Sequence, residues 1–207
     1  MGSYICYMDM SSFSNLENLR PSVLNNIMDA ETWHIPLKQN SITIRQALKT
    51  MESFKLDQTD VPFIIRFFEN PKYMMLPGAV TLKSHDIIHV LLGRGLLPKD
   101  EAFVIGFTMG STGQLTSLQK KIFKFITRFL YPSGYRFGPD ELQVFESGLY
   151  CAEETKCPDL SKIDLGWYLD YTIRDARAEL GIDVSWLSVE YMTERLTYDS
   201  IESQRLL

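Results

Sequence analysis

The chain has 207 residues and a net charge of −5, a size that suits one domain and an acidic balance that excludes general nucleic-acid binding, which works by neutralising phosphates. Apolar residues make up 45% of it and aromatic ones 12%, enough for a substantial core. Cys6, Cys151 and Cys157 form neither an even disulfide set nor a C-x-x-C pair, which fits a reducing compartment.

Residues 1–19 are rich in Ser, Asn and Met without periodicity and read as a loose tail or an arm over a neighbour. No basic residue precedes Arg20, so this start has the character of neither a secretory signal nor an Arg-rich transit segment. Pro21 opens a short helix, and His34 falls in the loop Trp33-His34-Ile35-Pro36, a surface or packed position. Ser41 caps a helix with Ile44, Leu48, Met51 and Phe54 on one face. Thr59-Asp60-Val61-Pro62 starts another, which Asn70-Pro71 stops. Lys72 to Gly78 is a connector.

The next segment is the one that carries chemistry. In Lys83-Ser84-His85-Asp86-Ile87-Ile88-His89 the two histidines are i,i+4 neighbours on a helix, with Asp86 at the edge of their face. Leu82, Ile87, Ile88, Val90, Leu91 and Leu92 leave that helix no charged solvent side, so it reads as buried. Gly93 and Gly95 end it, and Pro98 opens a second helix running to about Phe107. The short loop makes the two near-antiparallel neighbours. Glu101, in the first turn of the second helix, then faces back toward His85 and His89. Buried imidazoles and carboxylates without partners cost several kcal/mol each, about 2–7 for a neutral polar group. A divalent cation held by His85, Asp86, His89 and Glu101 satisfies all four. A buried His/Asp hydrogen-bond network without a metal is the plainer alternative. Imidazole with carboxylate favours zinc or another first-row metal, and magnesium stays open if Asp86 and Glu101 bind through waters. The zinc-protease pattern H-E-x-x-H is not met, because Asp86 replaces the general-base Glu and has a shorter arm.

Between Glu101 and Asp140 there is no acidic residue, but there are five basic ones: Lys120, Lys121, Lys124, Arg128 and Arg136. On a helix from Leu118 to Tyr131, Leu118, Ile122, Phe125, Ile126 and Phe129 share one face, with Phe123 and Leu130 at its margin. Lys120, Lys121, Lys124 and Arg128 share the other. Such a helix either packs on the core through its apolar face or docks on a membrane surface. Pro139-Asp140-Glu141 opens a helix with Leu142, Phe145, Leu149 and Ala152 inward. Asp159 or Ser161 starts a last long helix with a stripe of Leu165, Leu169, Thr172, Ala176 and Leu180, ended by Gly181. Asp183 to Trp186 extends briefly, and Ser200 to Leu207 reads as a flexible tail. The longest uncharged run, Ala102 to Leu118, is too polar to span a bilayer. The whole reads as a single all-α domain over residues 1–207, an orthogonal array of about six to eight helices.

His85-Asp86-x-x-His89-x11-Glu101 resembles the H-D-x-x-H-x11-E signature of the ubiquinone (coenzyme Q) biosynthesis protein four family. Leu76-Pro77-Gly78 before it, Leu91-Leu92-Gly93 after it and Glu179-Leu180-Gly181-Ile182 near the end are similar to that family's flanks. The resemblance implies a peripheral membrane protein of quinone biosynthesis, cytoplasmic in bacteria and on the matrix face of the mitochondrial inner membrane in eukaryotes. It implies a bound polyprenyl lipid or prenylated quinone precursor beside the metal. The role is either replacing a ring carboxylate by hydroxyl at C1 or organising the other enzymes of the pathway. Phe103 and Phe107 are candidates to line an isoprenoid tunnel, with plain core packing the first reading for each; Gly106 and Gly110 let the tail lie against the helix or, equally, serve tight helix packing or helix termination. A homodimer fits the excess of aromatic residues. Two other readings compete: a metal-dependent phosphohydrolase of the His-Asp type, which lacks its further upstream His unless His34 serves, and a non-catalytic isoprenoid carrier with a structural ion.

Overall fold

The computed structural model describes residues 33–52, 76–130, 136–155 and 157–207. Eight α-helices and no strand occur among them, so the all-α class expected from the sequence is present. In chain order they are α1 (Ile44–Glu52), α2 (Leu82–Leu92), α3 (Pro98–Ser111), α4 (Ser117–Phe125), α5 (Pro139–Thr155), α6 (Ile173–Glu179), α7 (Val184–Thr197) and α8 (Ile201–Gln204). The expected arm over 1–19 and the helices opening at Pro21 and Thr59 lie outside the described residues.

The two central helices are α3 and α5, and glycine sets how closely they approach. A Cβ at Gly106 would collide with the Phe145 carbonyl oxygen, and one at Gly110 would stand 2.7 Å from that of Leu149. Gly148 on α5 reciprocates, facing the Phe103 carbonyl. Close backbone approach of this kind is what a missing side chain permits. This corrects one expectation: the faces of Gly106 and Gly110 are filled by α5 and not left for a lipid tail. Phe103 and Phe107 are likewise fully enclosed, with Phe103 stacked beside Phe107 and edge-on to Tyr191.

The amphipathic helix at 118–131 forms as α4, capped by Thr116, whose hydroxyl accepts from Gln119 N, and passes into a wider π-type turn at Ile126–Leu130. It sits on the core by a different edge from the one its pattern suggests. Phe123, expected at the margin, is fully buried and stacks on Phe145 at 4.4 Å between centroids. Lys120, Lys124 and Thr127 share that edge. The two lysines therefore reach α5, Lys120 to Glu153 at 3.6 Å and Lys124 to Glu146 at 2.6 Å, and are not directed wholly to a membrane. Leu118, Phe125 and Phe129 are turned out, 67%, 57% and 55% exposed.

The long helix expected from Asp159 to Gly181 is broken. Asp159 and Asp164 each fold back on a nearby amide, of Ser161 and Gly166, and stop at short 3₁₀ turns. Local side-chain bonds of this type compete with helix propagation. The chain then runs beside the entry to α1: Ile44 N donates to Tyr171 O, Arg45 N to Leu169 O and Ile173 N to Ile42 O. The Leu169 and Tyr171 carbonyls are thus spent across the molecule, and a helix forms only after Thr172 caps α6. Two more corrections follow it. Asp183–Trp186 is no extended piece but the start of α7, capped by Asp183. Residues 200–207 are an ordered end, with Glu202, Ser203 and Leu206 buried.

Candidate metal centre

α2 begins where Thr81 accepts from Ser84 N and ends at Gly93, which takes the left-handed conformation at φ 69°. The Gly93 and Arg94 amides then bond back to the Val90 and His89 carbonyls, a glycine-terminated helix end. Pro98 opens α3, and Asp100 Oδ2 accepts from the Leu97 amide just before it. Five loop residues from Gly93 to Leu97 return the chain so that the first turn of α3 meets α2 at His85 and His89.

Three of the four residues read from the sequence converge there. His85 Nε2 lies 3.0 Å from Glu101 Oε2 and 3.0 Å from His89 Nε2, and His89 Nε2 lies 3.3 Å from Glu101 Oε1. The group can hold a metal ion, its ligand atoms all lying within 4.8 Å of one another. Asp86 is buried on the same helix but is not a member of that cluster; its charge acts on His89 from a neighbouring position. His89 is fully buried, His85 nearly so, and Glu101 is the most open of the three, which gives the site one accessible side.

Proton counting sharpens the geometry. Two neutral imidazoles bring at most one proton each to these Nε2 atoms. If both protons point at Glu101, the nitrogen–nitrogen edge has a donor at each end and no acceptor. If one points at the other ring, the accepting nitrogen must be bare, and neither nitrogen–carboxylate edge has a proton. A cation inside the triangle removes the conflict. Ligand bonds of about 2.1 Å put neighbouring ligand atoms about 3.0 Å apart at right angles and about 3.4 Å apart at the tetrahedral angle, which brackets the observed edges.

The electrostatics are those of a tightly paired cluster. Burial would raise the Glu101 carboxyl, but the charges and hydrogen bonds of His89 and His85 override it and hold the group well below the usual carboxylate range. Burial would lower His89, and here the Glu101 carboxylate, with Asp86 and Asp100 behind it, wins and raises the imidazole. His89 Nδ1 is buried with no partner among the described groups.

Local sequence reading missed the residues that hold this hairpin from behind. Arg94, fully buried, makes a bidentate pair with Glu194 of α7 at 3.0 and 2.6 Å and lies against the Phe103 and Tyr191 rings, 3.9 and 4.2 Å from their centroids. Tyr191 donates its hydroxyl to Leu92 O, and Arg177 donates Nε to Leu91 O and Nη1 to Leu37 O. Arg205 reaches Asp100 at 2.6 Å, next to Glu101. Nothing in the spacing of these residues marks them, since their partners lie 86 to 140 positions away. The spare histidine, His34, stands beside Arg205 and outside the metal group. No protein-family model, curated protein or solved structure matches the chain.

Proposed function

We propose that the chain binds one divalent cation on His85, His89 and Glu101 and acts at a membrane surface on a prenylated precursor in quinone biosynthesis. The contacts of 3.0, 3.0 and 3.3 Å among two imidazole nitrogens and the two oxygens of one carboxylate carry the metal part of this reading. Two His and one Glu are a set that zinc and ferrous iron both accept with coordination positions left open. Zinc is the metal favoured here, since its His₂Glu sites use this donor set. Bound there, the ion supplies a Lewis acid for an oxygen on the substrate head group. The chain's own residues do the rest. His85 and His89 fix two donors on one helix, and the more open side of Glu101 gives the entry.

The membrane part rests on α4. Leu118, Phe125 and Phe129 stand out from the surface, and the exposed cations Lys121 and Arg128 flank them. An apolar ridge with cations beside it suits the headgroup boundary of an anionic bilayer. No described helix is long and apolar enough to cross one. The quinone assignment is carried by the H-D-x-x-H-x11-E resemblance, and both roles it implies, C1 conversion of a ring carboxylate and assembly of partner enzymes, use the same metal set.

Elemental analysis of the purified chain tests the centre. The expected result is about one divalent ion per chain, lost in His89→Ala and in Glu101→Ala with helical content retained. Full metal content in His89→Ala would falsify the proposed coordination. Lipids extracted from the same preparation and identified by mass spectrometry test the substrate class, with a prenylated aromatic acid or phenol as the expected species.

A further inference from the structure

α7 is apolar on two opposite sides. The inner side buries Leu187 and Tyr191 and holds Glu194 against Arg94. The outer side carries Trp186, Val189, Met192 and Leu196, spaced three, three and four residues apart and therefore on one stripe. They are 37%, 60%, 58% and 84% exposed. Tyr150 of α5, itself exposed, meets Trp186 edge-on at 6.1 Å between ring centroids and widens the stripe. A second apolar stripe is more than core packing of α7 requires, and its four side chains are left open to solvent among the described residues.

The surroundings choose between occupants. Segment 183–199 holds Asp183, Glu190, Glu194 and Asp199 against the single cation Arg195. An anionic bilayer gains about 1 kcal/mol from each cation near its surface, and α7 has little to offer it, unlike α4. The three-and-four spacing is that of a helix–helix seam. Its extent is also right: four large side chains at these exposures, with Tyr150, present on the order of 500 Å² of apolar surface. Two copies meeting there bury on the order of 1,000 Å², the lower edge of what a specific dimer requires. An apolar ridge along one helix can be complementary to itself across a two-fold axis.

We propose that the outer stripe of α7 is the interface between two copies of this chain, packed helix against helix. The pairing is independent of the metal. It would brace α7 from outside while its inner face grips the end of α2.

Sedimentation equilibrium from about 1 to 100 µM protein tests this. The wild-type chain is expected to show a monomer–dimer equilibrium. Leu196→Glu, at the most exposed position of the stripe, should weaken it at least about tenfold, because the new carboxylate is buried against its own copy. Phe125→Glu on α4 should leave it unchanged. Should Leu196→Glu fail to fold, Met192→Cys in a Cys6→Ser background gives a second reading, since Cys151 and Cys157 are buried. A short bis-maleimide should then link two chains through position 192. A wild-type monomer throughout that range overturns the proposal, and so does a dimer that Leu196→Glu leaves intact or a Met192→Cys chain that does not cross-link. Loss of vesicle binding in a monomeric Leu196→Glu chain assigns the stripe to lipid and overturns it equally.

Discussion

Glu194→Gln isolates the contact that ties the metal hairpin to the C-terminal helices. Arg94 is fully buried and gives two hydrogen bonds to Glu194, while its other carboxylate neighbour, Asp100, lies 4.0 Å off and is already bonded to Arg205. Gln keeps the shape and one acceptor but removes the counter-charge, which leaves a buried guanidinium against two aromatic rings. Removing one partner of a buried pair costs about 3–5 kcal/mol. The Phe103 and Tyr191 rings that contact Arg94 stay in place, so the lower figure applies, about 3 kcal/mol. At about 2–4 °C per kcal/mol for a chain of this size, the melting temperature should fall by about 6–12 °C. Circular dichroism melts at fixed pH and metal concentration measure it. Arg94→Met with Glu194→Leu should recover most of the loss, because an apolar pair has no charge to strand; Ser203, which donates to Glu194 Oε1, keeps the recovery incomplete. A Glu194→Gln chain that melts within about 2 °C of wild type would refute the argument that this charge pair holds the hairpin.

Two further outcomes follow from the site and from α4. In the metal-free chain, the raised His89 contributes stability that is full below the ordinary imidazole pKa and lost as pH rises through its raised value. The depressed Glu101 contributes stability present above the ordinary carboxylate pKa and lost as pH falls toward its depressed one. The pair thus helps the metal-free chain most between the carboxylate and imidazole ranges, at about pH 5–6. Metal must displace the His89 proton, so the melting-temperature gain on adding zinc should be larger at about pH 8 than at about pH 5.5; a gain independent of pH across that interval contradicts the assignment. On α4, Phe125→Glu with Phe129→Glu should abolish flotation with anionic vesicles, and Lys121→Glu with Arg128→Glu should make it more salt-sensitive. Flotation unchanged in the first double variant removes α4 as the membrane face.

The metal hairpin was legible because every signal for it is local. An i,i+4 histidine pair, a glycine stop, a proline start and a glutamate in the next first turn all fall between Leu82 and Glu101. Short-range periodicity also located α1, α3, α4 and α5. It could not tell which edge of α4 would turn inward, since that was decided by a ring on another helix, Phe145, stacking on Phe123. It misread 159–181 because the apolar spacing there is helical while the Leu169 and Tyr171 carbonyls are committed to amides of the chain entering α1. Asp86 looked equivalent to its neighbours at the level of spacing; being on the edge of the face was enough to keep it out of the triangle.

The C-terminal end teaches a physical point about where a site's precision comes from. The last carbonyls of any helix lack partners within the helix. On α2 two of them, at Leu91 and Leu92, are bonded by Arg177 and Tyr191, from helices more than 80 positions along the chain. Arg177 has its own pKa lowered to about 10 by burial and is spent on carbonyls at the negative end of α2, where a cation is favourable. Thr81 fixes the other end. A helix pinned at both ends presents His85 and His89 at one separation, and Arg205, bonded to Asp100, pins the turn that presents Glu101. The residues that can meet a cation are therefore few and adjacent in sequence, while those that make their meeting reproducible come from the far end of the chain. Local pattern finds the first kind and is blind to the second.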